Sequence, residues 1–218
     1  ALAGGISVST PQTAGHLYVE GMINSADGCC RAYDDAARGT IFGNGSGVVL
    51  LKPLSAALRD GDRVYTVIKG TAVNNDGDRK VGFTAPSQAG ESGVIEEALR
   101  KADVNPETVG YVEGHGTGTA IGDPIEIEAL TDVYRRFTSK KQYCEVGSVK
   151  SNIGHMQVAS GIAGFIKAAL AVSKGVMPGT VHLRQPNQRV DWERSPFYVS
   201  AESQPWPADL SPRRAGVN

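Results

Sequence analysis

Twice in the second half of this chain a short apolar run ends in a glycine-bearing loop that holds a histidine, and a helix-forming segment follows. The first unit runs from residues 109–112 through GHGTGTAIGDP into residues 125–137. The second runs from residues 144–149 through KSNIGH into the Gly/Ala-rich residues 159–174. Alternating strand and helix predicts an α/β sheet. Both histidine loops then fall at the carboxyl ends of strands, where open α/β sheets hold their ligands. Asp123 is placed as the N-cap of the first helix with Pro124 as its first residue, and Gly175 stops the second. That second helix is apolar almost all round despite Lys167, which predicts a position between layers.

Upstream, residues 47–54 and the β-branched residues 63–73 read as strands. Val94, Ile95, Ala98, Leu99 and Ala102 recur at helical spacing over residues 92–102, and Asn105-Pro106 ends that helix. Pro178, Pro186, Pro196, Pro205, Pro207 and Pro212 punctuate the end of the chain. With one short strand at residues 197–200, this part is expected to wrap the surface.

The 218 residues carry 22 Lys+Arg against 23 Asp+Glu, a net charge of -1, and no block of about five like charges occurs. This excludes the basic footprint of a nucleic-acid or anionic-membrane binder. The longest apolar run, GIAGFIKAALAV, contains Lys167 and falls short of the about 18 residues of a membrane span. Cys29, Cys30 and Cys144 form neither an even disulfide framework nor paired metal knuckles, which fits a reducing, cytoplasmic setting. ALAGGISVS has no basic region before its apolar part and is no signal peptide; the chain is expected to begin in mid-domain.

Chemistry concentrates in the two loops. His115 lies among glycines that let backbone approach a ligand, with the hydroxyls of Thr117 and Thr119 beside it. The second loop brings His155 and, five residues earlier, Lys150. Glu126 falls in the first turn of the helix after His115. Two imidazoles, an ammonium and a carboxylate are thus candidates to converge. His115, Asp123, Glu126 and His155 are also possible metal ligands, yet no HxxxH or HExxH spacing puts two on one helix face, so the expectation is no metal. The glycines at 43, 45 and 47 precede a strand, and those at 116, 118 and 122 are one residue too widely spaced for the dinucleotide fingerprint. The three cysteines, His16 and His182 read as structural, and no serine lies in GxSxG.

Taken together, EGHGTGTAIGDPIEIEAL, GSVKSNIGH and the Gly/Ala helix resemble the carboxyl-terminal part of a β-ketoacyl synthase, the ketosynthase domain of modular polyketide synthases. AVNNDG with GFTAPS, SADGCCRAYD with GNGSGVVLLKPL, and the closing QPWP and PRRAGV are similar as well, so the resemblance covers almost the whole chain. It implies a thiolase-like α/β fold, layered αβαβα, incomplete here and mainly the carboxyl-terminal half. Residues 1–70 would end the amino-terminal half, 71–180 would carry both His loops, and 181–218 would be a Pro-rich surface segment.

The resemblance also implies an activity, decarboxylative Claisen condensation of acyl and malonyl thioesters. His115 and His155 match the histidines that flank a cysteine thiol, Lys150 the motif lysine and Glu126 its acidic partner. Thr117 and Thr119 match threonines that bind the phosphopantetheine arm of an acyl carrier protein. The implied partners are that carrier protein and a second copy in a homodimer, with no cofactor bound by this chain. Two neutral imidazoles suit the chemistry, because decarboxylation develops negative charge on the thioester oxygen and N–H donors stabilise it. The TACSS-type turn holding the family's nucleophile does not occur in this sequence, which stops at Asn218 before the family's gating loop. Both ends are therefore expected to be cut, the Cys-bearing segment lies elsewhere in the domain, and this chain alone is not expected to condense. The alternatives are a malonyl decarboxylase without the nucleophile, or a non-catalytic scaffold that docks carrier protein or holds a dimer.

Overall fold

The computed structural model describes residues 1–12, 15–75, 87–208 and 211–218. Its elements in order are β1 (Leu2–Ser7), β2 (Gly45–Leu50), α1 (Leu54–Arg59), α2 (Gln88–Ala102), β3 (Tyr111–Glu113), α3 (Gly122–Arg135), β4 (Cys144–Gly147), α4 (Lys150–Ile153), α5 (Ser160–Lys174), β5 (Val176–Met177), β6 (Phe197–Tyr198), β7 (Gln204–Pro205) and β8 (Ala215–Val217). Four parallel strands in the order β6-β4-β3-β8 form the central sheet. β1 and β2 form an antiparallel ribbon, and β5 and β7 a second, smaller one.

Strand alternation divides the sheet into two faces. Val112, Cys144, Val146 and Phe197 bury against Ile127, Leu130, Val133 and Tyr134 of α3, and α2 packs on α3 through Ile95 and Leu99. Tyr134 meets Phe197 edge to face at 4.7 Å between ring centroids. Each fully buried large apolar side chain there is worth about 1.5–3 kcal/mol. Tyr111 faces the other way, onto Ala171 of α5 and Trp206. α5 also contacts β1 and β2, so it lies between the sheet and the ribbon as its all-round apolarity predicts. The layers thus run helix pair, sheet, α5, ribbon. Beside α5 an open groove of about 530 Å³ is lined by Met156, Ile162, Ile166 and Leu170 among others.

Local signals set the element ends. The Ser87 hydroxyl accepts the N–H of Gly90, so α2 begins at Gln88, earlier than the periodicity over residues 92–102 reaches. α5 ends where Gly175 turns left-handed at φ 69°, and Arg213 donates to the Val172 carbonyl left open by the last turn.

Four expectations need correction. Asp123 is not the N-cap of α3: it lies inside the first turn, and the Thr119 hydroxyl accepts the Gly122 N–H instead, at 3.2 Å. Asp123 is drawn inward by backbone donors of other segments. Residues 63–73 form no strand; Val64, Tyr65, Val67 and Ile68 are exposed and no ladder reaches them among the described residues. β-propensity needs a neighbouring strand to be realised. The strand at 47–54 is shifted to Gly45–Leu50, because β1 pairs up to Leu50 and Pro53 then opens α1. The Pro-rich end does more than wrap the surface: Trp206 is buried against Tyr111, and β8 adds a parallel edge strand to β3. GFTAPS lies outside the described residues apart from its Ser87. Among the described residues no helix is long and apolar enough to cross a membrane.

Candidate active site

β3 and β4 run parallel with Glu113 opposite Gly147, so the loops that leave their carboxyl ends start side by side. This places the imidazoles of His115 and His155 edge to face, 5.5 Å between ring centroids at 90°. The loop glycines matter here at one position above all. Gly116 has φ +38°, and a Cβ on it would lie 2.6 Å from Cβ of Ser148 and 2.8 Å from the Tyr33 hydroxyl.

Both backbone polar groups of His115 are gripped. Glu126 Oε1 accepts its N–H at 2.6 Å, and Lys150 Nζ donates to its carbonyl at 2.5 Å. Glu126, buried in α3, also accepts the N–H of Gly116 at 2.8 Å, the hydroxyl of Tyr33 at 2.9 Å and the side-chain amide of Asn218 at 2.7 Å. Among the described residues it forms no ion pair with Lys150; the two charges attract through space while each engages a different end of His115. Lys150 is 4% exposed, and burial lowers its ammonium pKa against the pull of Glu126 and Glu113.

One turn before Glu126, the buried Asp123 accepts the N–H of Tyr33 at 2.7 Å and of Gly118 at 3.1 Å. Burial pushes its carboxyl up to about 7. Tyr33 itself is fully buried in a left-handed conformation, φ 60°. Asp34 locks the same turn by accepting the N–H groups of Arg184 and Gln185 at 2.6 and 2.9 Å. Tyr33 and this clamp are missed by sequence reasoning, since nothing in SADGCCRAYD signals that it reaches an element ninety residues away in sequence.

His155 is held by its own loop. The Gln157 N–H donates to Nδ1 at 3.1 Å, and Ser160 Oγ lies 2.7 Å from the same nitrogen. An N–H can only donate, so Nδ1 is the acceptor, the Ser160 hydroxyl donates too, and the neutral ring carries its proton on Nε2. Burial first, then Lys150 and His115, hold His155 down to about 4. One edge of His115 is open to solvent, yet the protein packed around it and Lys150 lower its pKa as well. Neutral imidazole is therefore the resting form of the pair.

The remaining candidates fall around this pair. Thr117 and Thr119 are half-buried with their hydroxyls 3.2 Å apart, and Thr119 also accepts the N–H of Gly122, the first residue of α3. Cys30 lies beneath the loop with Sγ 3.3 Å from the Thr117 carbonyl, and burial raises its thiol to about 11. Cys144 is buried in β4, and burial raises its thiol as well. Neither suits a nucleophile, which acts as thiolate. His16 bonds the Ser25 carbonyl at 2.7 Å, away from the pair. Among the described residues no group of three or more His, Cys, Asp or Glu side chains is placed to hold a metal ion.

Comparison with known proteins converges on one family. Residues 1–57 match the model of the beta-ketoacyl synthase N-terminal domain, and residues 65–184 that of the C-terminal domain. The chain is 48% identical over 219 residues to a phenolphthiocerol/phthiocerol polyketide synthase of Mycobacterium tuberculosis, covering all of this chain and 15% of that one. It is 44% identical over 202 residues to the polyketide synthase PksN of Bacillus subtilis, covering 93% of this chain and 4% of that one. Ketosynthase twelve of the bacillaene polyketide synthase from Bacillus amyloliquefaciens superposes with a TM-score of 0.96 at 42% identity, over 99% of this chain and 38% of that structure. The module 6 ketosynthase of the Bacillus subtilis bacillaene synthase gives 0.90 at 42% identity, over 99% and 39%. The chain thus spans a small part of its curated relatives and well under half of the solved ketosynthases. On these matches, and with a parallel sheet that carries two facing histidine loops, the chain belongs to the beta-ketoacyl synthase family and has the thiolase-like fold of polyketide synthase ketosynthase domains.

Proposed function

We propose that this chain supplies the decarboxylation half of a polyketide ketosynthase site, and that the observation carrying this reading is the edge-to-face pair of His115 and His155. Loss of carbon dioxide from a malonyl thioester leaves an electron pair that delocalises onto the thioester oxygen. His155 Nε2–H and the neutral His115 ring donate hydrogen bonds to that oxygen, in the protonation state that the buried Lys150 and the surrounding protein favour. A donor already in place as charge develops is worth about 3–4 kcal/mol. The resulting carbanion attacks an acyl thioester, and the cysteine thiolate that held the acyl group leaves.

In this reading Lys150 and Glu126 position His115 by holding its carbonyl and N–H. Thr117 and Thr119 bind the phosphopantetheine arm that brings substrate from an acyl carrier protein, and no cofactor resident in this chain takes part. The accepting thiol comes from a segment of the domain outside these 218 residues. The raised thiols of Cys30 and Cys144 support this assignment. The apolar groove beside α5 supports a covering by the rest of the domain.

The test is release of labelled carbon dioxide from malonyl carrier protein by the complete domain, native against His155→Ala. The reading expects a loss of about a hundredfold. Carrier protein that binds but releases no carbon dioxide from the native domain would establish a docking scaffold instead.

A further inference from the structure

Glu113 ends β3 two residues before His115 and is 1% exposed. A carboxylate so buried needs a countercharge and donors for its oxygens. Lys167 of α5 supplies the charge, with Nζ 2.8 Å from Oε2, and the Tyr111 hydroxyl donates to the same oxygen at 2.7 Å. The other oxygen accepts the N–H of Val149 at 2.6 Å. Val149 immediately precedes Lys150, whose ammonium reaches the His115 carbonyl. α5 closes over the carboxylate at Gly164, where a Cβ would come within 3.1 Å of Glu113 Cγ.

We propose that Glu113 is a positioning residue for the paired imidazoles and that Lys167 holds its carboxylate for that task. The inference rests on the reading of His115 and His155 as one site. Glu126 orders the His115 loop alone, whereas Glu113 sits on the strand that launches this loop and bonds the start of the other. The path runs from Glu113 to Val149, along one peptide to Lys150, and back to the His115 carbonyl. Each step is a hydrogen bond or a covalent link, so the spacing of the two loops is set at their roots.

A buried ion pair that serves only stability can be exchanged for apolar groups at little cost. A positioning pair cannot, unless the oxygen that Val149 uses is kept. Glu113→Ala removes that oxygen, whereas Glu113→Gln combined with Lys167→Met keeps an amide oxygen there and removes both charges. Because each imidazole lies in the ring current of the other, the shifts of their ring protons report the spacing by NMR without any need for catalysis.

Glu113→Ala is expected to move the ring-proton shifts of both histidines. In the complete domain it is expected to lower kcat for carbon dioxide release about tenfold or more, with KM changed less than about twofold. The double variant is expected to restore the shifts and to recover most of the lost kcat. Native shifts in Glu113→Ala, with only a lower melting temperature, would overturn the proposal. So would displaced shifts in the double variant, which decides the matter alone if Glu113→Ala does not fold. Undiminished carbon dioxide release in His115→Ala would sink the functional reading and leave the shift result standing on its own.

Discussion

Glu126 and Lys150 act on opposite ends of one residue: the carboxylate accepts the N–H of His115 at 2.6 Å while the ammonium donates to its carbonyl at 2.5 Å. Opposite charges commonly meet each other; here they meet the N–H and the carbonyl of one residue, which belong to the two peptide groups on either side of its Cα. The His115 loop is therefore fixed through its backbone, and the imidazole faces His155.

Glu126→Gln follows directly from that arrangement. The carboxylate serves four donors, two of them the backbone N–H groups of His115 and Gly116. Whichever way the amide of glutamine turns, its NH2 faces at least one of them. The expected loss is about 1–3 kcal/mol for a buried donor left without an acceptor. Urea unfolding measures it, and a change within error would show that the carboxylate is not needed there.

Gly116→Ala tests the loop conformation. At φ +38° and with Ser148 and Tyr33 against the added carbon, the substitution is expected to cost about 1–3 kcal/mol from the backbone alone. Gly93→Ala is the control: it lies in α2 with nothing within 4 Å of the new carbon. It is expected to stabilise by about 0.5–1 kcal/mol. Thermal unfolding of the two variants should move in opposite directions.

His155 sets one pH dependence. Its folded pKa of about 4 lies below the ordinary 6.5, so between these values the unfolded chain binds the proton that the folded chain refuses. Stability from this residue is complete above about 6.5 and is lost as pH falls toward 4. Unfolding followed from pH 7 to 4.5 is expected to weaken less in His155→Gln than in the native protein. Parallel curves would contradict the depressed value.

Asp123 works in the opposite sense. Its folded pKa of about 7 lies above the ordinary 3.8, so its contribution is complete at low pH and is lost as pH rises through 7. The stability gap between the native protein and Asp123→Asn is expected to narrow between pH 4 and 7. A gap that stays level over this range would show a carboxyl that is ionised throughout.

The legible part of this molecule is local. Both strand, loop and helix units are read correctly from apolar runs, glycines and the Gly175 stop, because those signals act within a few residues. The central pair of histidines follows from two loops at neighbouring strand ends. What escapes is set by partners distant in sequence. Residues 63–73 have strand propensity and no ladder, whereas residues 215–217 have little propensity and join one because β3 offers an open edge. Asp123 has the residue type of an N-cap, yet it lies inside the first turn and its carboxylate bonds Tyr33, while the Thr119 hydroxyl takes the Gly122 N–H. Glu113 and Lys167 are ordinary charges in the sequence until folding buries them together.

The most direct test of the central claim is a double-mutant cycle on His115 and His155, with labelled carbon dioxide release from malonyl carrier protein by the complete domain as the readout. If both rings serve one oxyanion, each His→Ala change costs about a hundredfold and the double variant loses far less than the product of the two. Losses that multiply would mean that the imidazoles act on separate steps, and a double variant as fast as the native domain would mean that neither stabilises the developing charge.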